Sequence, residues 1–321
     1  MPFRSLHAFV EALRKAGELH VVSTRVDPRL EISEITNRVV KAGGPALLFT
    51  DVEGSEFPVL TNQFGTHRRM AMALGTPNLD AVAARIRALL ALKPPSGSLS
   101  EKLAAAVQFA PLANAVPKIV RDGSVGDVVI EKPDLRRLPV LTTWPRDAGP
   151  FITLPLVITK DPLSGRMNVG MYRMQVYGAD ETGMHWQRHK HGRAHAAAWG
   201  KNVPVAVAVG TEPVLTYAAT APLPPLIDEF TFAGFLRNKP VELTRARTVD
   251  LMVPADAEFV LEGYVDNEDL RMEGPFGDHT GVYSPADRYP TFHVTCITHR
   301  RNPIYAATLV GKPPMEDAWL G

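Results

Sequence analysis

Residues 152–178 read ITLPLVITKDPLSGRMNVGMYRMQVYG. Two runs rich in Ile, Val, Thr, Met and Tyr flank Asp-Pro-Leu-Ser-Gly, and that alternation of β-formers with breakers spells strand, turn, strand. The pattern repeats outward. VPVAVAVG from Val203, AEFVLEGYV from Ala257, TFHVTCITH from Thr291 and IYAATLV from Ile304 are further short β-rich runs, and they dominate from about Val128 onward. Many short strands separated by Gly and Pro turns predict an antiparallel barrel or sandwich rather than a doubly wound sheet. Neither a GxGxxG fingerprint nor a Walker loop is present, and no internal repeat. The first hundred residues differ. Leu6, Phe9, Val10 and Leu13, then Ile32, Ile35 and Val39, then Leu79, Val82, Ile86 and Leu89 recur at helical spacing, with the strand-like LHVV and PALLFTD between them. The fold class expected is therefore α+β: a small α/β domain over residues 1–110, followed after KPPSGSLS by a β-rich domain, barrel or sandwich, over 111–321.

The chain has 321 residues, 45% of them hydrophobic and 21% charged, which suits a folded protein with room for two domains. A formal net charge of +1 with no long like-charge run gives no reason to expect a nucleic-acid partner. The single cysteine, Cys296, lies in an apolar run and reads as a small buried hydrophobe. Arg4, Glu11, Arg14 and Lys15 interrupt the apolar residues of the N-terminus, and Arg85 and Arg87 interrupt AVAARIRALLAL. The expectation is a cytoplasmic protein with no signal peptide and no membrane insertion.

Two segments carry candidate chemistry. A helix is expected from about Trp186 to Trp199, bearing His185, His189, His191 and His195; the pairs His185/His189 and His191/His195 have the i, i+4 spacing of one helix face. Trp186 stands where a zinc-protease His-Glu-x-x-His motif needs glutamate, so that reading fails, and a polar face and a metal site both remain open. Glu273–Gly281, EGPFGDHTG, sets two carboxylates five residues apart among glycines and a proline. It reads as a shaped loop, carrying either surface acids or a site.

NVGMYRMQVYG, GMHWQRHKHG, PLPPLIDEFTFAGFLR, DLMVPADAEFVLEGYV, EGPFGDHTG and GKPPMEDAWLG, in that relative arrangement, resemble the UbiD family of prenylated-flavin-dependent decarboxylases. The resemblance runs from near the N-terminus to Gly321. It implies a split β-barrel that holds prenylated FMN, with a divalent metal, usually manganese, bridging protein and flavin phosphate. It implies Asn168, His189 and Glu229 as metal ligands, a donor set that suits a hard or borderline ion. His185 is the competing histidine, and for Glu229 a helix N-terminal acid is the alternative. A potassium ion accompanies the metal in the family. The flavin would be lined by Asn168, Met171, Tyr172, Arg173, His185, Trp186, Gln187, Lys190 and His191.

The catalytic set implied is Arg173, Glu273 and Asp278. Arg173 would grip the substrate carboxylate with two parallel hydrogen bonds, and Glu273 would hold the guanidinium. Asp278 would protonate the carbon that loses carbon dioxide, and for that its pKa should be raised by burial or by Glu273. In one regular strand Asn168 and Arg173 face opposite ways, so a bulge at Gly170 is expected unless the two grip different ends of the flavin. The substrate implied is an aromatic carboxylic acid, foremost a hydroxybenzoate such as the 4-hydroxy-3-polyprenylbenzoate of ubiquinone biosynthesis. A flavin prenyltransferase would supply the cofactor, and the full-length form would be a homo-oligomer. Family chains continue into a C-terminal domain beyond the segment seen here, so the alternative is a flavin- or metal-binding module that is inactive without that domain or a partner subunit.

Overall fold

The computed structural model describes residues 3–91, 112, 114–187, 191–223 and 227–320. The expected domain boundary near residue 110 lies outside them. The N-terminal helices follow the apolar spacing. Leu6–Lys15 is capped by Ser5, whose hydroxyl accepts from the Ala8 N–H, and it buries Leu6, Phe9, Val10 and Leu13. In Glu31–Lys41 the buried positions are Ile32, Ser33, Thr36 and Val40, with Ile35 and Val39 only partly covered. The face turns because the Thr36 hydroxyl meets that of Thr61 at 2.9 Å, a polar contact that an apolar count misses.

These helices pack on a four-stranded sheet. Leu19–Val22 runs parallel to Ala46–Phe49, which runs antiparallel to Val59–Thr61. The fourth strand is Tyr305–Ala306, paired parallel to Val59–Leu60. IYAATLV, expected among the barrel strands, therefore completes the N-terminal sheet. The two halves of the chain are interleaved in space.

The β-rich half forms a seven-stranded antiparallel sheet. Its centre is Asn202–Val209, flanked by Phe259–Glu273 on one side and Leu156–Lys160 on the other. Val203, Val205, Val207 and Val209 enter one apolar cluster and Ala206 and Ala208 the other. Both faces are covered, which is why VAVAV alternates in size but not in polarity.

Three local features build the site. First, Met167–Met171 pairs with Leu156–Lys160 in unbroken register, with Gly170 opposite Val157, so there is no bulge at Gly170. The chain instead leaves the sheet at Tyr172 and Arg173 and resumes as Met174–Gln175 against Phe151–Ile152. The expected single strand is two, and the break between them re-aims Arg173. Gly170 serves close approach: a Cβ there would come within 2.5 Å of the Tyr172 ring.

Second, the histidine-bearing helix is His191–Trp199, shorter than expected. Residues 184–187 are not helical, because the strand Glu181–Gly183 pairs with Thr291–His293 and the Met184 N–H continues that direction to the Pro290 carbonyl. The helical i, i+4 relation therefore does not hold for His185. Third, EGPFGDHTG is the end of the strand Phe259–Glu273 followed by a small hairpin, Phe276–Gly277 against Tyr283–Ser284. Cys296 is buried, and burial pushes its thiol up to about 11.

Candidate active site

Arg173, Glu273 and Asp278 converge although about a hundred residues separate the first from the other two. Arg173 Nε and Nη2 donate to Glu273 Oε1 and Oε2 at 2.9 and 3.3 Å, a two-bond fork. Nη1 donates to Asp278 Oδ2 at 3.1 Å and Nη2 to the Ser284 hydroxyl at 2.9 Å, while Phe276 stacks its ring 4.7 Å below the guanidinium carbon. His185 shares a 2.8 Å hydrogen bond with Glu273 Oε2 through Nδ1 and lies flat on Tyr289.

Glu273 has no solvent exposure. Burial by itself would raise its carboxyl, but the hydrogen bonds from His185 and Arg173 outweigh it and hold the group below its ordinary value. The same balance governs Asp278. Burial raises it, and the side chain and N–H of His279 together with the Arg173 charge more than reverse that. The raised Asp278 expected from the sequence is thus overturned. Glu273 is not its repelling neighbour, because Arg173 stands between the two carboxylates.

Arg173 also differs from expectation. Its fork is spent on Glu273, and of five N–H groups only one on Nη1 lacks a partner within the cluster.

The cluster forms one wall of a cavity of about 510 Å³ lined by Met171, Tyr172, Arg173, His185, Gln187, Phe276, Asp278, His279 and Asp317 among others. Tyr172 and Gln187 also line a second cavity, of about 290 Å³, with Asn168, His191 and Glu229. Asn168 and Arg173 therefore meet two adjoining spaces. Glu229 opens the helix Glu229–Arg237, capped by Asp228, and its Oε2 accepts the Val169 N–H at 2.8 Å. Burial pushes the Tyr172 phenol up to about 12. Trp186 is buried edge-on against the Tyr172 ring and does not line either cavity. His189 and Lys190 lie outside the described residues. Among the described residues no group of three or more His, Cys, Asp or Glu side chains is placed to hold a metal.

Sequence reasoning missed several groups of this site. Asp147 accepts the N–H of Gly277 at 2.7 Å and those of Trp144 and Thr143, fixing the hairpin. His279 and Asp317 line the cavity, Ser284 bonds Arg173 and Tyr289 backs His185, and no spacing signal ties them to Arg173.

Residues 118–313 match the family described as 3-octaprenyl-4-hydroxybenzoate carboxy-lyase Rift-related domain, and residues 10–89 match its N-terminal domain. The chain belongs to the UbiD family of carboxy-lyases. Among relatives, uncharacterized proteins of Archaeoglobus fulgidus and Aquifex aeolicus are 50% and 48% identical over 100% and 99% of this chain and 67% of each of theirs. The UbiD-class enzyme HmfF from Pelotomaculum thermopropionicum, solved in complex with FMN, superposes with a TM-score of 0.82 at 31% identity, over 99% of this chain and 67% of that one. Vanillic acid decarboxylase of Sedimentibacter hydroxybenzoicus superposes with a TM-score of 0.86 at 27% identity, over 100% and 67%. The chain thus spans about two thirds of the UbiD-class chains it matches. None of the helices among the described residues is long and apolar enough to cross a membrane.

Proposed function

We propose that this chain catalyses the reversible, non-oxidative decarboxylation of an aromatic carboxylic acid with prenylated FMN. The observation that carries the reading is a partly buried arginine, fixed by Glu273 and Ser284, at the wall of a cavity whose other lining is largely apolar. Such a pocket suits a flat acid with one charged end. In support, HmfF has been solved with FMN and, as an evolved dimeric form, with prFMN, and the Sedimentibacter protein acts on vanillic acid.

The residues present fit the cofactor. The two cavities adjoin at Tyr172 and Gln187, and the inner one carries a buried amide, Asn168 Nδ2, that has no hydrogen-bond partner among the described residues. An unmet donor on the wall of such a recess suits a phosphate oxygen. Asn168, Glu229 and His191 would hold that end, and Arg173, His185 and Gln187 the ring end. Asn168 and Glu229, with His189, are the ligands we assign to a divalent ion such as manganese, since carboxamide and carboxylate oxygens suit an ion that also takes phosphate oxygens; potassium belongs to the same proposal. Loss of carbon dioxide from an aromatic carbon leaves an electron pair that side chains cannot absorb, and bound prenylated FMN supplies the sink.

The protein's own part is to orient and to move a proton. The free N–H of Arg173 Nη1 holds the substrate carboxylate, Phe276 and Met171 exclude water from the ring, and Asp278 is the group we assign to pass a proton to carbon. Within the class, a hydroxybenzoate is the substrate we favour, 4-hydroxy-3-polyprenylbenzoate included. The test co-expresses the chain with a flavin prenyltransferase, measures flavin absorbance and metal content for the wild type and Glu229→Ala, and then screens hydroxybenzoates for carbon dioxide release. Flavin and metal lost together in the variant, with turnover by the wild type, is the expected result. Flavin bound equally by both proteins contradicts the assigned cofactor site.

A further inference from the structure

The helix Glu229–Arg237 starts at the inner cavity of the active site and ends about 12 Å further on, with Arg237 in a different recess. That recess has a volume of about 440 Å³ and shares no lining residue with either cavity of the active site. Arg237 and Glu212 line it at 9% and 5% exposure and are bonded to each other through Nη1 and Oε1. The pair is incomplete on both sides. Arg237 Nε and Glu212 Oε2 are buried without a hydrogen-bond partner, and Arg237 Nη2 makes no hydrogen bond among the described residues. The Nε–Nη2 edge of the guanidinium, which can hold two oxygens side by side, is therefore unused. Charge decides what fits there. Of the three acids on the wall, Glu242 and Asp256 are each taken by Arg4 at 2.8 Å, and Glu212 is taken by Arg237. Of the four cations, Lys118 and Lys239 are exposed and make no ion pair among the described residues. A cation entering the recess meets two unpaired lysines, whereas an anion meets those lysines and the open edge of Arg237.

We propose that this recess is a second binding site, which takes the phosphate or carboxylate end of a small molecule between the Nε–Nη2 edge of Arg237 and the side chains of Lys118 and Lys239. The site stands apart from the decarboxylase reading, because none of its residues belongs to that machinery. Its affinity follows pH through Glu212. Burial pushes that carboxyl up to about 7; the charges of Asp256 and Glu242 add to this, and the charge and hydrogen bond of Arg237 oppose it. Arg4, Lys118 and Lys239 are the other charged groups on the same wall. An oxyanion on Arg237 offsets the positive charge that keeps Glu212 ionised. Binding therefore draws a proton onto Glu212 and tightens as pH falls through about 7.

Calorimetric titration of the chain at constant ionic strength tests this, with sulfate standing for a phosphate end and malonate for a carboxylate. Saturable binding of at least one is expected, and which of them binds identifies the end that is recognised. Sulfate keeps its charge across neutral pH, so its affinity should be higher below pH 7 than above it. The double substitution Lys118→Gln with Lys239→Gln, both at the surface, is expected to weaken binding about fivefold or more. Arg237→Lys keeps a charge beside Glu212 but lacks the two-nitrogen edge, so it should lose binding while circular dichroism shows it folded. Glu212→Gln keeps a partner for Arg237 Nη1 and should bind sulfate equally on both sides of pH 7. No saturable binding of either anion overturns the proposal. Binding that survives the lysine substitutions and Arg237→Lys unchanged puts the anion elsewhere and overturns it too. Wild-type affinity for sulfate that does not change across pH 7 overturns the proton uptake at Glu212.

Discussion

Glu273 and Glu316 are buried alike, at 0% and 1% exposure, yet they behave oppositely. Glu273 sits in a fork of Arg173 with His185 on its second oxygen, and it is held ionised. Glu316 meets two backbone N–H groups and one hydroxyl, with the Arg69 charge acting without a hydrogen bond, and burial pushes it up to about 7. Depth below the surface is the same in both. What separates them is a cation within hydrogen-bond reach. The site spends burial on a charged network, and the scaffold uses hydrogen bonds from neutral donors to tie the C-terminal turn to the N-terminal sheet.

The strongest way to break this comparison is Arg173→Ala. It leaves Glu273 buried with His185 alone, so a loss of about 3–5 kcal/mol in denaturant unfolding is expected, with kcat/KM down on the order of 1,000-fold. A variant as stable as the wild type means that Glu273 does not depend on its cation. Next is the pH dependence of Glu316. Its folded value lies above the unfolded one, so its contribution is fully present below pH 4.5 and is lost as pH rises through about 7, a fall of about 3 kcal/mol. Glu316→Gln should flatten that part of the stability curve in thermal unfolding, and an unchanged slope assigns the proton to another group.

A smaller effect sharpens the geometry of the hairpin. A Cβ at Gly277 would lie 2.1 Å from Trp144 Cδ1, so Gly277→Ala is expected to cost about 1–3 kcal/mol by overpacking. Urea midpoints give the value. The smallest effect belongs to Asp278, whose side chain is 28% exposed beside Arg173. Its carboxyl is depressed, so its stabilisation is present above the unfolded pKa and is lost as pH falls through the folded one. Asp278→Asn should therefore change stability at neutral pH by less than about 1 kcal/mol. A loss as large as that of Arg173→Ala erases the distinction between core and rim of the cluster.

Much of the fold was legible in short windows. Leu6, Phe9, Val10 and Leu13 mark their helix, and the valines of Asn202–Val209 mark the central strand, because periodicity is set by neighbours within a few residues. The resemblance to the UbiD family picked out Arg173, Glu273 and Asp278, which the fold brings together. It did not foresee the break after Met171, since Gly170 looked like the weak point and the ladder runs straight through it.

The sequence alone determined the kind of elements, their order and the residue types available to the site. Tertiary structure decided that Tyr305–Ala306 joins the first sheet, that the fork of Arg173 faces Glu273, and that Asp278 carries charge where a proton was expected. The reason is physical. Helix and strand periods are local properties of the chain, whereas pairing partners and protonation depend on every group that folding brings within a few ångströms, most of them distant in sequence.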